Sequence, residues 1–130
     1  MLLATLEHSF SVIAVYETWA KDNSDIFLQI AGYNFVSIAT SSRRGGVALY
    51  IRSDISYVRR DDICRSSTFE YVFVEINNVK NRKCKVIVGC IYRPPGCELI
   101  QFKQDIESLL QNVTLEKAEC LLAGVLMLIY

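Results

Sequence analysis

The chain has 130 residues, of which 52% are hydrophobic and 22% are charged. This balance is typical of one folded domain with a core and excludes a disordered tail. The 14 Lys and Arg residues offset the 14 Asp and Glu residues. Net charge therefore does not by itself point to a nucleic-acid partner, although a local basic patch is compatible with it.

Cysteine usage and the two ends of the chain bear on its compartment. The 5 cysteines include no CxxC pair, which argues against a disulfide framework and a structural zinc site. Residues 1–6 lack a basic leader, and the apolar run 120–130 is too short to cross a bilayer. We expect an intracellular chain with free thiols and no membrane partner.

The first predicted elements are a strand and a short helix. Residues 11–16 form an apolar run rich in β-branched side chains, which predicts a strand buried on both faces. The polar residues 23–25 can cap a short helix that carries Ile26, Phe27, Leu28 and Ile30 and ends at Gly32.

Two hairpins follow. Residues 33–38 and 47–51 predict strands joined by a basic loop and the Gly45-Gly46 turn. Residues 69–76 and 85–92 predict a second pair, separated by an asparagine-rich turn.

The last third of the chain predicts a helix and a buried strand. Prolines at 94 and 95 end the preceding strand. Apolar residues then recur at helical spacing from Leu99 to Val113 over a polar face, and residues 120–124 begin another apolar strand. The order predicts a mixed α/β fold, with helices against one face of a largely antiparallel sheet.

Two positions at predicted strand ends are candidates for phosphate chemistry. Glu17 follows the first strand, where open α/β sheets place ligands, and its carboxylate can hold one Mg²⁺. Tyr92 and Arg93 end a later strand before the prolines, and both side chains can donate hydrogen bonds to a phosphate. A solvated carboxylate and a packed tyrosine are the structural alternatives.

An ordered set of short motifs resembles a known family. It resembles the endonuclease/exonuclease/phosphatase family, and more narrowly the endonuclease domain of non-LTR (LINE-type) retrotransposons. The motifs are Glu17-Thr18-Trp19, Gly45-Gly46-Val47-Ala48-Leu49-Tyr50, Gly89-Cys90-Ile91-Tyr92-Arg93-Pro94-Pro95-Gly96, the helix with Phe102 and Asp105, and Leu121-Leu122-Ala123-Gly124.

This resemblance implies a four-layer α/β sandwich and Mg²⁺-dependent cleavage of DNA phosphodiesters, in a polyprotein that also carries a reverse transcriptase. Glu17 is then the metal carboxylate and Tyr92 a phosphate-contacting catalytic donor. Arg93, with Arg43 and Arg44 in the basic loop, is a candidate DNA contact. A functional parent would act in the nucleus.

The family pattern is incomplete in this sequence. Residues 1–124 correspond to a partial domain. The opening strand with its metal-site Asn is expected before Met1, and the Ser-Asp-His ending beyond Tyr130. The Gly-Asp-Phe-Asn motif is expected at Gly124, but Val125, Leu126 and Met127 follow. We therefore expect no measurable cleavage by this chain, since groups that act as a unit fail together.

Residues 125–130 form an aberrant apolar tail for which we hypothesise a frameshift. Read back as GGT GTT TTA ATG TTG ATT TAT, residues 124–130 become Gly-Asp-Phe-Asn-Val-Asp-Leu when one A is restored after the fourth base. A native buried strand with an apolar ending is the alternative. Two other functions also stay open: a non-catalytic remnant with weak DNA affinity, and a phosphatase-like hydrolase of small phosphoesters.

Overall fold

The computed structural model describes residues 10–16, 18, 29–38, 46–66, 68–77, 84–94 and 96–125. These residues form two β-sheets and one helix, in the order strand, strand, strand, strand, strand, strand, helix, strand. The sheets face each other, and the helix covers the outer face of the second sheet. The mixed α/β class predicted from the sequence is confirmed, with three layers in the described part of the chain.

The first sheet has three strands in the order β1-β3-β2, all antiparallel. They are β1 Val12–Tyr16, β2 Tyr33–Ile38 and β3 Val47–Arg52. The predicted β2–β3 hairpin is confirmed. Gly46, just before β3, has a φ of +107°, which glycine adopts without the steric cost that a side chain brings.

The prediction that β1 is buried on both faces was wrong. Ala14 and Tyr16 are exposed, because β1 lies at the edge of this sheet among the described strands. The central strand is β3 instead, whose residues 47–51 are all buried.

The second sheet has four strands in the order β4-β5-β6-β7. They are β4 Tyr57–Arg59, β5 Glu70–Asn77, β6 Lys85–Tyr92 and β7 Glu119–Val125. The predicted β5–β6 hairpin is confirmed, and β7 joins the far side of β6 in parallel. The short strand β4 was not predicted, since its three residues are too few to show an alternation.

Side chains alternate along β5 and β6 between two apolar layers. Val72, Val74, Val88 and Cys90 point between the sheets, where they pack with Leu49 and other residues of the first sheet. The opposite face of the second sheet receives the helix.

The helix, α1 Leu99–Leu115, was predicted from its apolar periodicity and is confirmed. It buries Phe102 and Leu109 against Phe73 and Ile87 of the second sheet. Burying side chains of this size stabilises the fold by about 1.5–3 kcal/mol each. Leu99 and Leu110, which the periodicity also placed on the buried face, are 54% and 50% exposed.

An ion-pair cluster lies near the end of α1. Arg60 contacts Asp62, Glu75 and Glu116, and Lys85 contacts the last two. It links the segment after β4 to β5, β6 and the residue after α1.

Two further expectations can be compared with the structure. The strand over 120–124 exists, but its predicted burial was wrong, because Leu121 and Leu122 are 64% and 41% exposed at the edge of the sheet. The predicted helix over 23–30 lies mostly outside the described residues, and residues 29 and 30, which are described, are not helical. No helix in the described ranges has both the length and the apolarity to cross a membrane.

Candidate functional site at the strand ends

The carboxyl ends of β1, β6 and β7 meet at one edge of the molecule, which we call the strand-end edge. Strands β6 and β7 are parallel and in register, so both end there. The Tyr16 ring at the end of β1 stacks on the Tyr92 ring at the end of β6, with centroids 6.0 Å apart and 13° between the planes. A stacked pair across two sheets fixes the distance between these strand ends.

Tyr92, the predicted catalytic donor, lies at this edge and is almost enclosed. Its side chain is 3% exposed and belongs to the apolar layer between the sheets. Tyr16 covers it from the solvent side and is itself 49% exposed.

Arg93 lies on the other face of the second sheet from Tyr92, because successive strand residues point to opposite faces. Its guanidinium donates to the Cys97 carbonyl at 2.8 Å and sits 5.4 Å from the centroid of the Phe102 ring. The structure does not bring Tyr92 and Arg93 together on one phosphate. The assignment of Arg93 to DNA contact stays a prediction.

The third strand that ends at this edge is β7, which leads into the position where the Gly-Asp-Phe-Asn motif is expected. In the parallel register Gly124 is opposite Ile91, and Val125 is opposite Tyr92. A Cβ on Gly124 would lie 2.8 Å from the Ile91 carbonyl oxygen, so the strands approach closely here. The backbone of residue 125, where the family pattern has its Asp, is thus next to Tyr92.

Glu70 adds a carboxylate to the strand-end edge that sequence reasoning missed. It is the first residue of β5 and the cross-strand partner of Tyr92. Its Oε2 accepts a hydrogen bond from the Gly46 N–H at 2.5 Å. Burial raises the pKa of Glu70, and the Gly46 hydrogen bond opposes that rise.

The sequence did contain a signal for Glu70. The inward-facing positions of β5 are 70, 72, 74 and 76, of which the last three are Val, Val and Ile. A carboxylate in such an apolar series is costly unless it has a partner, so it marks a position with a specific role. The alternation alone, applied to residues 69–76, was enough to find it.

Three predicted site residues, Glu17, Arg43 and Arg44, lie outside the described residues. Within the described ranges, no group of three or more His, Cys, Asp and Glu side chains is arranged to hold a metal ion. One oxygen of Glu70 is already engaged with Gly46. The described residues do not by themselves fit a Mg²⁺ ion, which needs about six ligands in near-octahedral geometry.

A solved structure shares this fold. The catalytic domain of human Nocturnin, determined with a bound sulfate anion, matches with a TM-score of 0.58 and 13% sequence identity. It is a protein of the endonuclease/exonuclease/phosphatase fold, a fold whose members generally use divalent metals. The predicted fold is therefore confirmed as a partial domain of this type.

The match covers 88% of this chain but 50% of the Nocturnin domain. The chain thus spans half the length of the structure that it resembles. No family model matches the sequence, and neither does any curated protein.

Proposed function

We propose that this chain is a fragment of a retrotransposon-derived, Mg²⁺-dependent DNA endonuclease, and that it does not hydrolyse phosphodiesters by itself. Its parent would nick nuclear DNA and carry a reverse transcriptase domain. The fold supports a nuclease- or phosphatase-type catalytic domain, and the motif set supports the narrower assignment.

The observation that carries the proposal is that β1, β6 and β7, which lead into or contain three of the motifs, end together at the strand-end edge. Tyr16, immediately before Glu17, stacks on Tyr92, and residue 125 pairs with Tyr92 in the β6–β7 register. Carboxyl ends of strands are where open α/β sheets place their ligands. The end of the strand that precedes Glu17 thus lies beside Tyr92 and residue 125, which supports reading these motifs as parts of one site.

The lack of activity follows from what occupies the third motif. Hydrolysis of a phosphodiester requires an activated water and groups that stabilise the charge that develops at phosphorus. Position 125 carries Val where the family pattern has Asp, and position 127 carries Met where it has Asn. Neither side chain carries an oxygen that could bind Mg²⁺ or hold a water by a strong hydrogen bond. Tyr92 can still donate a hydrogen bond, but one donor does not supply the missing base.

The first test is nicking of supercoiled plasmid with Mg²⁺. We expect no nick above background. A Mg²⁺-dependent nick that disappears in the Glu17→Ala variant would contradict the proposal of an inactive fragment.

A repaired variant tests the motif assignment. We expect the double substitution Val125→Asp and Met127→Asn to increase the affinity for Mn²⁺, measured by its electron paramagnetic resonance, because both new side chains carry oxygen ligands and restore the Asp and Asn of the family pattern. The matched control is Leu122→Asp with Ala123→Asn, which places the same two residue types on β7 just before the expected Gly-Asp-Phe-Asn position. Equal affinity in the repaired variant and the control would show that position 125 has no special relation to a metal.

The history of the gene can be examined directly. Resequencing the genomic locus and the transcript across the Gly124 codon shows whether one base is missing. If an extra base restores Asp-Phe-Asn, the tail is a reading error and the parent is an active endonuclease. If the sequence stands, the gene is a broken copy.

A hydrolase of small phosphoesters is the second candidate. The near-complete enclosure of Tyr92, at 3% exposure, favours a small phosphate over a duplex backbone, and the Nocturnin domain holds a sulfate. Turnover of p-nitrophenyl phosphate without cleavage of DNA would select this candidate.

A further inference from the structure

We propose that Glu70 is a positioning residue: its carboxylate fastens the start of β3 and, through Gly46, the chain segment that follows β1. The inference deepens the proposed function, because Glu17 lies within that segment, but the contacts that carry it are those of described residues.

The first contact joins the two sheets. Glu70 belongs to the second sheet, on the face that looks toward the first sheet. Its Oε2 lies 2.5 Å from the backbone nitrogen of Gly46, which precedes β3 of the first sheet. A hydrogen bond to an ionised carboxylate is about twice as strong as one between neutral groups. This bond therefore fastens the sheets together at the strand-end edge.

The second contact passes the constraint to the neighbouring strand. The Gly46 carbonyl accepts a hydrogen bond from the Thr18 N–H at 3.4 Å. Gly46 thus donates one hydrogen bond, to Glu70, and accepts one, from Thr18. β1 ends at Tyr16. The Thr18 bond therefore extends the contact between the two chain segments past the last residue pair of the β1–β3 ladder.

The backbone at Gly46 is suited to this role. Its φ of +107° lies in the region that residues with a side chain rarely adopt. Gly46 is also buried, where an N–H without an acceptor would be destabilising. Glu70 supplies the acceptor for that N–H from the opposite sheet.

The cost of the carboxylate supports the same assignment. Glu70 occupies an inward position in line with Val72, Val74 and Ile76, and burial raises its pKa. An apolar side chain there would pack without that penalty. The carboxylate offsets its cost through the Gly46 bond, which an apolar residue cannot make.

Amide hydrogen exchange followed by NMR tests the proposal without metal or DNA. We expect Glu70→Ala to speed exchange of the Gly46 amide by about tenfold or more, the effect of losing one buried acceptor. The Thr18 amide should also exchange faster. Glu70→Gln keeps an acceptor oxygen at the same reach and should stay within about threefold of the original chain.

Two further variants keep the result interpretable. Glu70→Leu preserves side-chain size without an acceptor, and it replaces Glu70→Ala if that variant does not fold. Glu75→Ala is the matched control, because it removes a carboxylate from the same strand on the opposite face. In Glu75→Ala we expect exchange of the Gly46 and Thr18 amides to change no more than exchange of the other β3 amides.

The outcomes are decisive in either direction. Unchanged exchange at Gly46 and Thr18 in the Ala or Leu variant would overturn the proposal, as would an equal loss of protection in Glu75→Ala. Glu70→Gln behaving like Glu70→Ala would also overturn it, since the loss of protection would then not follow the loss of the acceptor oxygen. None of these results depends on metal binding or DNA cleavage, so the positioning role and the proposed function can fail separately.

Discussion

Replacing Arg60 tests what fastens α1 to the second sheet. Its guanidinium lies 2.6 Å from Glu75 Oε1 and 2.5 Å from Glu116 Oε1, and the three side chains are 16%, 17% and 22% exposed. Arg60→Met keeps much of the apolar stem and removes the charge. Glu75 and Glu116 would then share the ammonium of Lys85, which already contacts both.

The expected loss of stability lies between two limits. Removing one partner of a fully buried ion pair costs about 3–5 kcal/mol, and exposed pairs contribute about 0–1 kcal/mol. The partial exposure of this cluster places Arg60→Met near 2 kcal/mol, which lowers Tm by roughly 6–8 °C in a domain of this size. Thermal unfolding followed by circular dichroism measures it, with Lys103→Met as the control, because Lys103 is 77% exposed and its Glu107 partner is 3.9 Å away.

The pH dependence of this loss has a definite sign. The hydrogen bonds from Arg60 and Lys85 lower the pKa of Glu116 to about 2, below the value of about 4.3 for an unfolded chain. A lowered pKa contributes stability that is present above the unfolded value and is lost as pH falls through the folded value. The difference between the original chain and Arg60→Met should be full above pH 5 and vanish near pH 2. A difference that stays constant from pH 7 to pH 2 would refute the electrostatic reasoning.

Three other perturbations have expected outcomes. Gly89→Ala should lower the free energy of unfolding by about 1–3 kcal/mol, because its Cβ would lie 2.2 Å from the Phe73 ring; chemical denaturation measures this, and Phe73→Leu in the same chain should recover part of it. Iodoacetamide at pH 8 should modify the exposed Cys84 well before the buried Cys64. Burial, with a smaller effect of the Asp105 charge, raises the pKa of Cys64 to about 12. Mass spectrometry gives the order of modification, and equal rates in the folded chain would contradict the burial of Cys64. Leu121→Lys should reduce aggregation measured by light scattering, because Leu121 is 64% exposed and a charge on an edge strand opposes edge-to-edge pairing. Unchanged scattering would show that aggregation does not proceed through β7.

Local patterns were sufficient to predict most strands and α1. The apolar, β-branched runs of β2, β3, β5 and β6 and the helical spacing of α1 each specify an element within a few residues. Burial was harder to predict, because an apolar run does not show whether its strand is central or at an edge. Residues 12–16 and 120–124 have similar runs, yet both strands lie at sheet edges. Strand order, which decides burial, depends on partners far away in the sequence.

The candidate site shows the same division between local and distant information. Glu17 and Tyr92 were chosen as candidates because one follows a predicted strand and the other ends one. Recognising such a position requires only the pattern of that one strand. The separation of Arg93 from Tyr92 follows from strand alternation and was also predictable, but the contact of Arg93 with Phe102 needed the position of α1. The stacking of Tyr16 on Tyr92 joins two sheets, so no local pattern contains it.

Glu70 combines both kinds of information. Its inward position could be found from the alternation of β5, whereas its partner Gly46 is 24 positions away and in the other sheet. Burial raises the pKa of Glu70, and its cross-strand partner is Tyr92. If the chain is a decayed copy, the loss of the Asp position at 125 removed a group of the proposed chemistry and left this link between the sheets in place. The Tyr16–Tyr92 stack and the Glu70–Gly46 hydrogen bond involve none of residues 124–127, so neither contact requires the side chains of the motif expected there.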